Sequence, residues 1–238
     1  MTDFDSAVRA QWAGRDLQTQ KQIDSGKIDA GTRGAVTGGR HLDPLQEAVA
    51  GLFSDPTLGS DLVVRATGKL TLPGHYRRSK NWDIIVMYRD ILVAAVEFKS
   101  QVGSVGNNAN NRSEEVIGNA VDTWKSYEEG LLGSVRPWLG YVMLIEECHE
   151  TTKPVGMASK PLYDLDPIFA TNSSFTDRYK VALHRMVRER IYDAAVLATT
   201  EKGQGVFREP DPLLSFQNFE DEIAGRMAFI RAKAARKP

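Results

Sequence analysis

The spacing of apolar residues predicts a helix at the start of the chain and a separate domain after it. Phe4, Val8 and Trp12 recur at helical spacing, which predicts a short N-terminal helix to about residue 23. Residues 24–40 then contain five glycines and three basic residues, a composition typical of a flexible segment. We therefore predict an N-terminal helix and a flexible, basic, glycine-rich arm in residues 1–40, and a single domain in residues 41–238.

The remaining pattern alternates between helices and strands. Asp43-Pro44 is typical of a helix start and precedes an apolar stripe. Runs rich in β-branched residues predict strands at residues 62–70, 82–88, 91–99, 138–147 and 193–199. Further stripes predict helices from Ser113, across residues 175–192 and from Phe216. This order predicts an α/β fold in which helices flank a central mixed β-sheet.

Composition and charge narrow the classes of function. The 238 residues are 42% hydrophobic and 26% charged, which is typical of a globular protein. No apolar run approaches the roughly 20 residues that cross a bilayer, so we expect a cytoplasmic protein without a membrane partner. A single cysteine with four histidines does not compose a usual structural zinc site. The net charge of -1 gives no overall basic field, so any nucleic-acid binding depends on local patches.

Two acidic residues are predicted to meet across a β-hairpin. Arg89-Asp90 separates two strand-forming runs and predicts the hairpin tip. Folding there places Asp83 opposite Glu97, within one register step. Glu97 and Lys99 differ by two positions, so their side chains lie on one face of the strand. A Glu-x-Lys pattern is usually solvated, but the apolar residues around this one indicate a buried strand, where unpaired charges are costly.

Two carboxylates and an ammonium group suit metal-dependent phosphodiester hydrolysis. Adjacent carboxylates repel unless a cation lies between them, and carboxylate, phosphate and water oxygens are the ligands of Mg²⁺. The lysine adds positive charge where the transition state develops negative charge. We therefore predict Asp83 and Glu97 as Mg²⁺ ligands and Lys99 as the catalytic lysine.

The spacing of these residues resembles the PD-(D/E)xK nuclease motif. Thirteen residues separate Asp83 from Glu97-Phe98-Lys99, and Trp82 stands where the motif often has proline. The longer run from LPGHYRRSK to NAVDTW, followed by RPWLGYVMLIE and RMVRERIYDAA, resembles type II restriction endonucleases typified by XhoI. The resemblance covers roughly residues 40–200 and implies a PD-(D/E)xK restriction-endonuclease-like core.

The resemblance also implies partners and a substrate. Such enzymes are homodimers that cut double-stranded DNA at a short palindrome, 5′-CTCGAG in the best-known members, with Mg²⁺ as cofactor and 5′-phosphate ends. Dimer symmetry matches a palindrome because both half-sites meet the same reader. A companion DNA methyltransferase would protect the host DNA.

Two further residues are candidates for the catalytic site. Glu47, on the helix that begins near Asp43, is either an additional acidic group of the site or an ordinary exposed helix residue. Gln101 continues the alternation from Lys99 and could contact a phosphate or a water at the metal.

DNA contacts are predicted on both sides of the catalytic strand. Residues 100–115 are expected to form a loop that reads bases or is only a turn, since asparagine pairs with adenine and arginine with guanine. Its candidate readers are Asn107, Asn108, Asn110, Asn111 and Arg112. Three basic residues before the hairpin, Arg77, Arg78 and Lys80, are predicted to bind phosphates. The arm of residues 24–40 is either a plain linker or a segment that orders on DNA.

Two other functions remain open from the sequence. One is a PD-(D/E)xK nuclease of DNA repair or recombination that lacks fixed sequence specificity. The other is a catalytically inactive DNA-binding module, although all three residues of the predicted triad are present.

Overall fold

The apolar runs form a six-stranded sheet in the computed structural model, which describes residues 4–24, 42–68, 70–103, 105–156, 161–170, 173–203 and 205–236. Its strands are β1 (Leu62–Arg65), β4 (Ile84–Tyr88), β5 (Ile91–Gln101), β6 (Trp138–Glu146), β7 (Ala194–Thr200) and β8 (Phe207–Arg208), in the order β1-β4-β5-β6-β7-β8. Strands β5, β6 and β7 are parallel, and the other pairs are antiparallel. A separate antiparallel ladder joins β2 (Thr71–Pro73) to β3 (Ser79–Asn81). The predicted mixed sheet is confirmed.

Helices cover both faces of this sheet. The described helices are α1 (Phe4–Asp24), α2 (Asp43–Leu52), α3 (Val105–Glu128), α4 (His149–Thr152), α5 (Pro167–Ala170), α6 (Phe175–Arg188) and α7 (Phe216–Ala235), with 3-10 turns at Pro56–Asp61 and Pro212–Leu214. Apolar residues of α1, α2 and α7 pack on one face, and those of α3 and α6 on the other. Alternate strand residues point to opposite faces, so Val96 joins the first core and Ala95 the second. The predicted α/β fold with flanking helices is therefore confirmed.

The N-terminal helix belongs to the first of these cores. Phe4 stacks on Phe216 with ring centroids 3.9 Å apart, and the Trp12 indole donates a 3.2 Å hydrogen bond to Thr200 Oγ1. Helix α1 (Phe4–Asp24) matches the predicted helix, and these contacts place it against the sheet. Residues 25–41, most of the predicted arm, lie outside the described residues, so the boundary near residue 40 stays a prediction. Among the helices described, none is long and apolar enough to cross a membrane.

Two predicted elements differ most from the structure, and the helix predicted across residues 175–192 ends at Arg188. The strand predicted over residues 62–70 ends at Arg65, because Gly68 has a φ of 97° and turns the chain before β2. The helix predicted from Ser113 already begins at Val105, so residues 105–115 of the predicted loop at residues 100–115 are helical. Ala109, Ser113 and Val116 face α6 at helical spacing. Packing of this face overrides the weak helix propensity of the asparagine-rich segment.

Candidate active site

The β4–β5 hairpin holds the first acid beside the strand that carries the second. Ile84 pairs with Val96, which confirms the predicted register, and Asp83 immediately precedes Ile84. The Asp83 N–H donates to the Val96 carbonyl at 3.2 Å, and the Phe98 N–H donates to Asp83 Oδ2 at 2.7 Å. Both bonds fix the Asp83 carboxylate next to Glu97.

Glu97 is buried between two ammonium groups. Only 2% of this residue is exposed. Lys99 Nζ lies 2.5 Å from Glu97 Oε1, and Lys80 Nζ lies 2.7 Å from Glu97 Oε2. Lys80 reaches the site from β3, with its ammonium group 5.0 Å from the centre of the Trp82 ring. The structure therefore brings the predicted triad together and adds a second lysine to it.

The charged network continues onto α3. Lys99 Nζ lies 3.2 Å from Glu115 Oε1, and Arg112 Nη1 lies 3.0 Å from Glu115 Oε2. Three acids, Asp83, Glu97 and Glu115, thus face three cations, Lys80, Lys99 and Arg112, and their formal charges sum to zero. Glu115 is not among the predicted site residues, although its spacing from Arg112 is that of a helical ion pair.

Burial and neighbouring charges shift the pKa values of this network. Burial, helped by the charge of Glu97, raises the pKa of Asp83 to about 6. Burial acts to lower the pKa of Lys99, but Glu97 and Glu115 outweigh it and raise that pKa. Burial likewise acts to raise the pKa of Glu115, but Lys99 and Arg112 lower it. Lys99 therefore keeps its charge, while ionised Asp83 and Glu97 repel each other.

This donor set could hold a hard divalent cation. Its two carboxylates are those of Asp83 and Glu97, and a cation near both would relieve their repulsion. In the part of the chain that the structure describes, no three Asp, Glu, His or Cys side chains cluster as a metal site. Glu47 is exposed on α2, and its part in the site stays a prediction. Two carboxylates completed by water and phosphate suit Mg²⁺, which usually keeps several of its waters.

The basic residues before the hairpin lie on β3 and on the turn that joins it to β2. Arg77 Nε donates to Asp122 Oδ2 at 2.8 Å, and Asp122 Oδ1 accepts from the N–H groups of His75 and Tyr76 at 2.9 and 2.7 Å. Arg78 is exposed on the same turn. The buried Asp122 of α3 thus anchors this turn. Burial acts to raise the pKa of Asp122, but these donors lower it.

The remaining predicted residues lie at the C-terminal end of β5 and the start of α3. The buried Gln101 donates from Nε2 to the Gly103 carbonyl at 2.6 Å. Asn110 and Asn111 are exposed on α3. Asn107 and Asn108 belong to the first turn of this helix, and their side chains lie outside the described residues. The candidate readers therefore occupy a helix rather than a loop.

Comparison with known proteins identifies the family of this chain. Residues 21–209 match the family described as restriction endonuclease XhoI. The chain is 41% identical over 196 residues to type II restriction enzyme BstVI of Geobacillus stearothermophilus, covering 78% of this chain and 86% of BstVI. It is 42% identical over 149 residues to AbrI of Azospirillum brasilense, covering 62% and 67% of the two chains. It is 36% identical over 179 residues to XhoI of Xanthomonas vasicola, covering 74% and 71%.

No solved structure matches the chain. The matched region contains β3, the whole β4–β5 hairpin and α3, and hence all six charged residues of the network. Type II restriction enzymes act on double-stranded DNA and generally need a divalent metal. The chain belongs to the XhoI family of type II restriction endonucleases, which are site-specific deoxyribonucleases.

Proposed function

We propose that this protein hydrolyses DNA phosphodiesters with Mg²⁺ at a single site built from Asp83, Glu97 and Lys99. One observation carries the proposal: two acids and a lysine converge on adjacent strands of one hairpin. Lys99 Nζ is 2.5 Å from Glu97 Oε1, and the charge of Glu97 helps to raise the pKa of Asp83. Buried charges in contact are costly unless they serve each other or a ligand.

Each residue of the site has a distinct part in this proposal. Asp83 and Glu97 would hold Mg²⁺, which when bound offsets the negative charge that develops on the phosphate and makes an attacking water more acidic. Above a pH of about 6 Asp83 is mainly ionised and able to bind a cation. Lys99 is kept protonated by Glu97 and Glu115, so its ammonium group carries a full positive charge toward the reacting phosphate.

The DNA-binding assignments rest on exposure and position. Asn110 and Asn111 are exposed near the start of α3, one to two turns before Glu115 contacts the catalytic lysine. We assign base readout to this end of α3, together with Asn107, Asn108 and Arg112. Arg77, Arg78 and Lys80 would contact phosphates from the β2–β3 ladder.

The proposal includes a homodimer and a palindromic site. A two-fold symmetric dimer presents one α3 end to each half-site, as a palindrome requires. The substrate would be a short palindrome such as 5′-CTCGAG, cut to leave 5′-phosphate ends, and a companion methyltransferase would protect it. The family resemblance supports both assignments.

Digestion of DNA of known sequence with Mg²⁺, followed by mapping of the ends, tests this function. Discrete fragments with ends at one repeated palindrome are expected. A smear would instead indicate a nuclease without fixed specificity, and binding without cleavage would indicate an inactive DNA-binding module. With Ca²⁺ in place of Mg²⁺, we expect specific binding without cutting.

A further inference from the structure

Lys80 differs from the catalytic lysine in how it is held. Lys99 lies on the central strand β5 and contacts two acids, Glu97 and Glu115. Lys80 lies on the three-residue strand β3, outside the main sheet, and its one acidic partner among the described residues is Glu97. Its ammonium group also donates to the Asn81 carbonyl at 2.9 Å. Of the two lysines on Glu97, Lys80 is therefore the one that lies outside the main sheet and has a single acidic partner among the described residues.

The position of Lys80 conflicts with metal binding at Glu97. Its Nζ lies 2.7 Å from Oε2, while Lys99 occupies Oε1, so both oxygens already accept from ammonium groups. The network is neutral, and a divalent cation would give it a charge of +2 unless a cation leaves or anions arrive. Such an excess of charge in a partly buried site is unfavourable.

DNA provides the missing negative charge. Lys80 lies on β3, directly after the turn that carries Arg77 and Arg78, and this turn is anchored to α3 through Asp122. Its side chain is 11% exposed, so the ammonium group has to move outward from Glu97 to contact a phosphate. A phosphate bound by this ladder would offer Lys80 a second anionic partner.

We propose that Lys80 is an internal counter-ion that neutralises Glu97 in the free protein and transfers to a DNA phosphate when the metal binds. This inference rests on the proposed function and adds a coupling to it. The free protein holds metal weakly, because Lys80 competes for Glu97. DNA strengthens metal binding by drawing Lys80 away, and by reciprocity the metal strengthens DNA binding.

Calcium binding measured by calorimetry, without DNA, tests the competition directly. Lys80→Gln removes the competing charge but keeps a hydrogen-bond donor. We expect this variant to bind Ca²⁺ on the order of tenfold more tightly than the wild type. Lys125→Gln is the matched control, because Lys125 pairs with Glu128 and Glu129 at the far end of α3. Its Ca²⁺ affinity should equal that of the wild type.

A second variant, Lys80→Arg, keeps the inference testable if Lys80→Gln does not fold. Lys80→Arg retains the positive charge, and its guanidinium can hold Glu97 with two hydrogen bonds. We expect Ca²⁺ to bind this variant several-fold more weakly than the wild type when DNA is absent. Equal Ca²⁺ affinities for the wild type, Lys80→Gln and Lys80→Arg would overturn the inference.

The salt dependence of DNA binding reports where Lys80 lies. The duplex carries the palindrome mapped by digestion. In EDTA, the slopes of log K against log salt should be the same for wild type and Lys80→Gln. In Ca²⁺, the wild-type slope should be steeper than the slope of Lys80→Gln by about one unit, which is the value for one additional phosphate contact. Equal slopes in Ca²⁺ would contradict the transfer. Failure of the proposed function would differ, because the wild type would then neither cut DNA with Mg²⁺ nor bind Ca²⁺ when DNA is present.

Discussion

Replacement of Asp83 by Asn is expected to stabilise the metal-free protein. Asn keeps an oxygen that can accept from the Phe98 N–H, so the hydrogen bond to β5 can persist. It removes the negative charge that burial and Glu97 disfavour. In the metal-free protein the ionised Asp83 therefore lowers the free energy of unfolding, and functional residues commonly lower stability in this way.

The pKa of Asp83 sets the size of this effect. Its value rises from 3.8 to about 6, and each unit corresponds to about 1.4 kcal/mol. Because the folded state binds this proton more tightly, the stability that the raised pKa contributes is present below 3.8 and is lost as the pH rises through about 6. At pH 8 Asp83→Asn should therefore be more stable than wild type by about 2–3 kcal/mol, or about 5–10 °C in Tm. At pH 5 the difference should fall to about half.

Urea and thermal unfolding in EDTA measure this difference. Asp90→Asn is the matched control, since Asp90 is exposed at the hairpin tip and the same change there should alter stability by less than about 0.5 kcal/mol. If Asp83→Asn were no more stable than wild type at pH 8, or if its advantage did not shrink by pH 5, the electrostatic description of the acid pair would be refuted.

Three further substitutions test the site and its supports. Lys99→Met should slow single-turnover cleavage by about 10²–10³-fold while DNA binding in Ca²⁺ persists, and an unchanged rate would remove Lys99 from catalysis. Asp122→Asn places an amide donor opposite the Arg77 guanidinium and should lower the free energy of unfolding in urea by about 2 kcal/mol. An unchanged free energy of unfolding would mean that Asp122 does not stabilise this turn. Gly140→Ala puts a Cβ 2.5 Å from the Trp138 ring and should lower stability by about 1–3 kcal/mol. Gly118→Ala, with open space around its Cβ, should not lower stability, and equal losses for the two glycine variants would contradict the packing argument.

The sequence predicted the register of the β4–β5 hairpin because the signals for it are local. Side chains alternate with a period of two, so the tip at Arg89-Asp90 and the register determine where Asp83 and Glu97 lie. The observed pairing of Ile84 with Val96 is the predicted one. A bulge near Val86 shifts the register by one residue, but only between it and the tip, so the acids keep their positions.

The rest of the network depends on tertiary packing that no local pattern encodes. Lys80 lies on a three-residue strand, too short for alternation to reveal which way its side chain points. Glu115 reaches Lys99 only because α3 folds back over β5. The sequence pattern did not predict the early start of α3, because asparagine and glycine disfavour helices. The packing of the partly buried Ala109 against α6 favours the helix here.

The most direct test of the catalytic site is single-turnover cleavage by Asp83→Ala. The DNA carries the mapped recognition sequence, and the reaction contains Mg²⁺. We expect wild type to give discrete fragments and Asp83→Ala to give none, while the variant unfolds cooperatively and binds the DNA in EDTA as wild type does. Cleavage by Asp83→Ala at the wild-type rate would contradict the assignment of the active site to this hairpin.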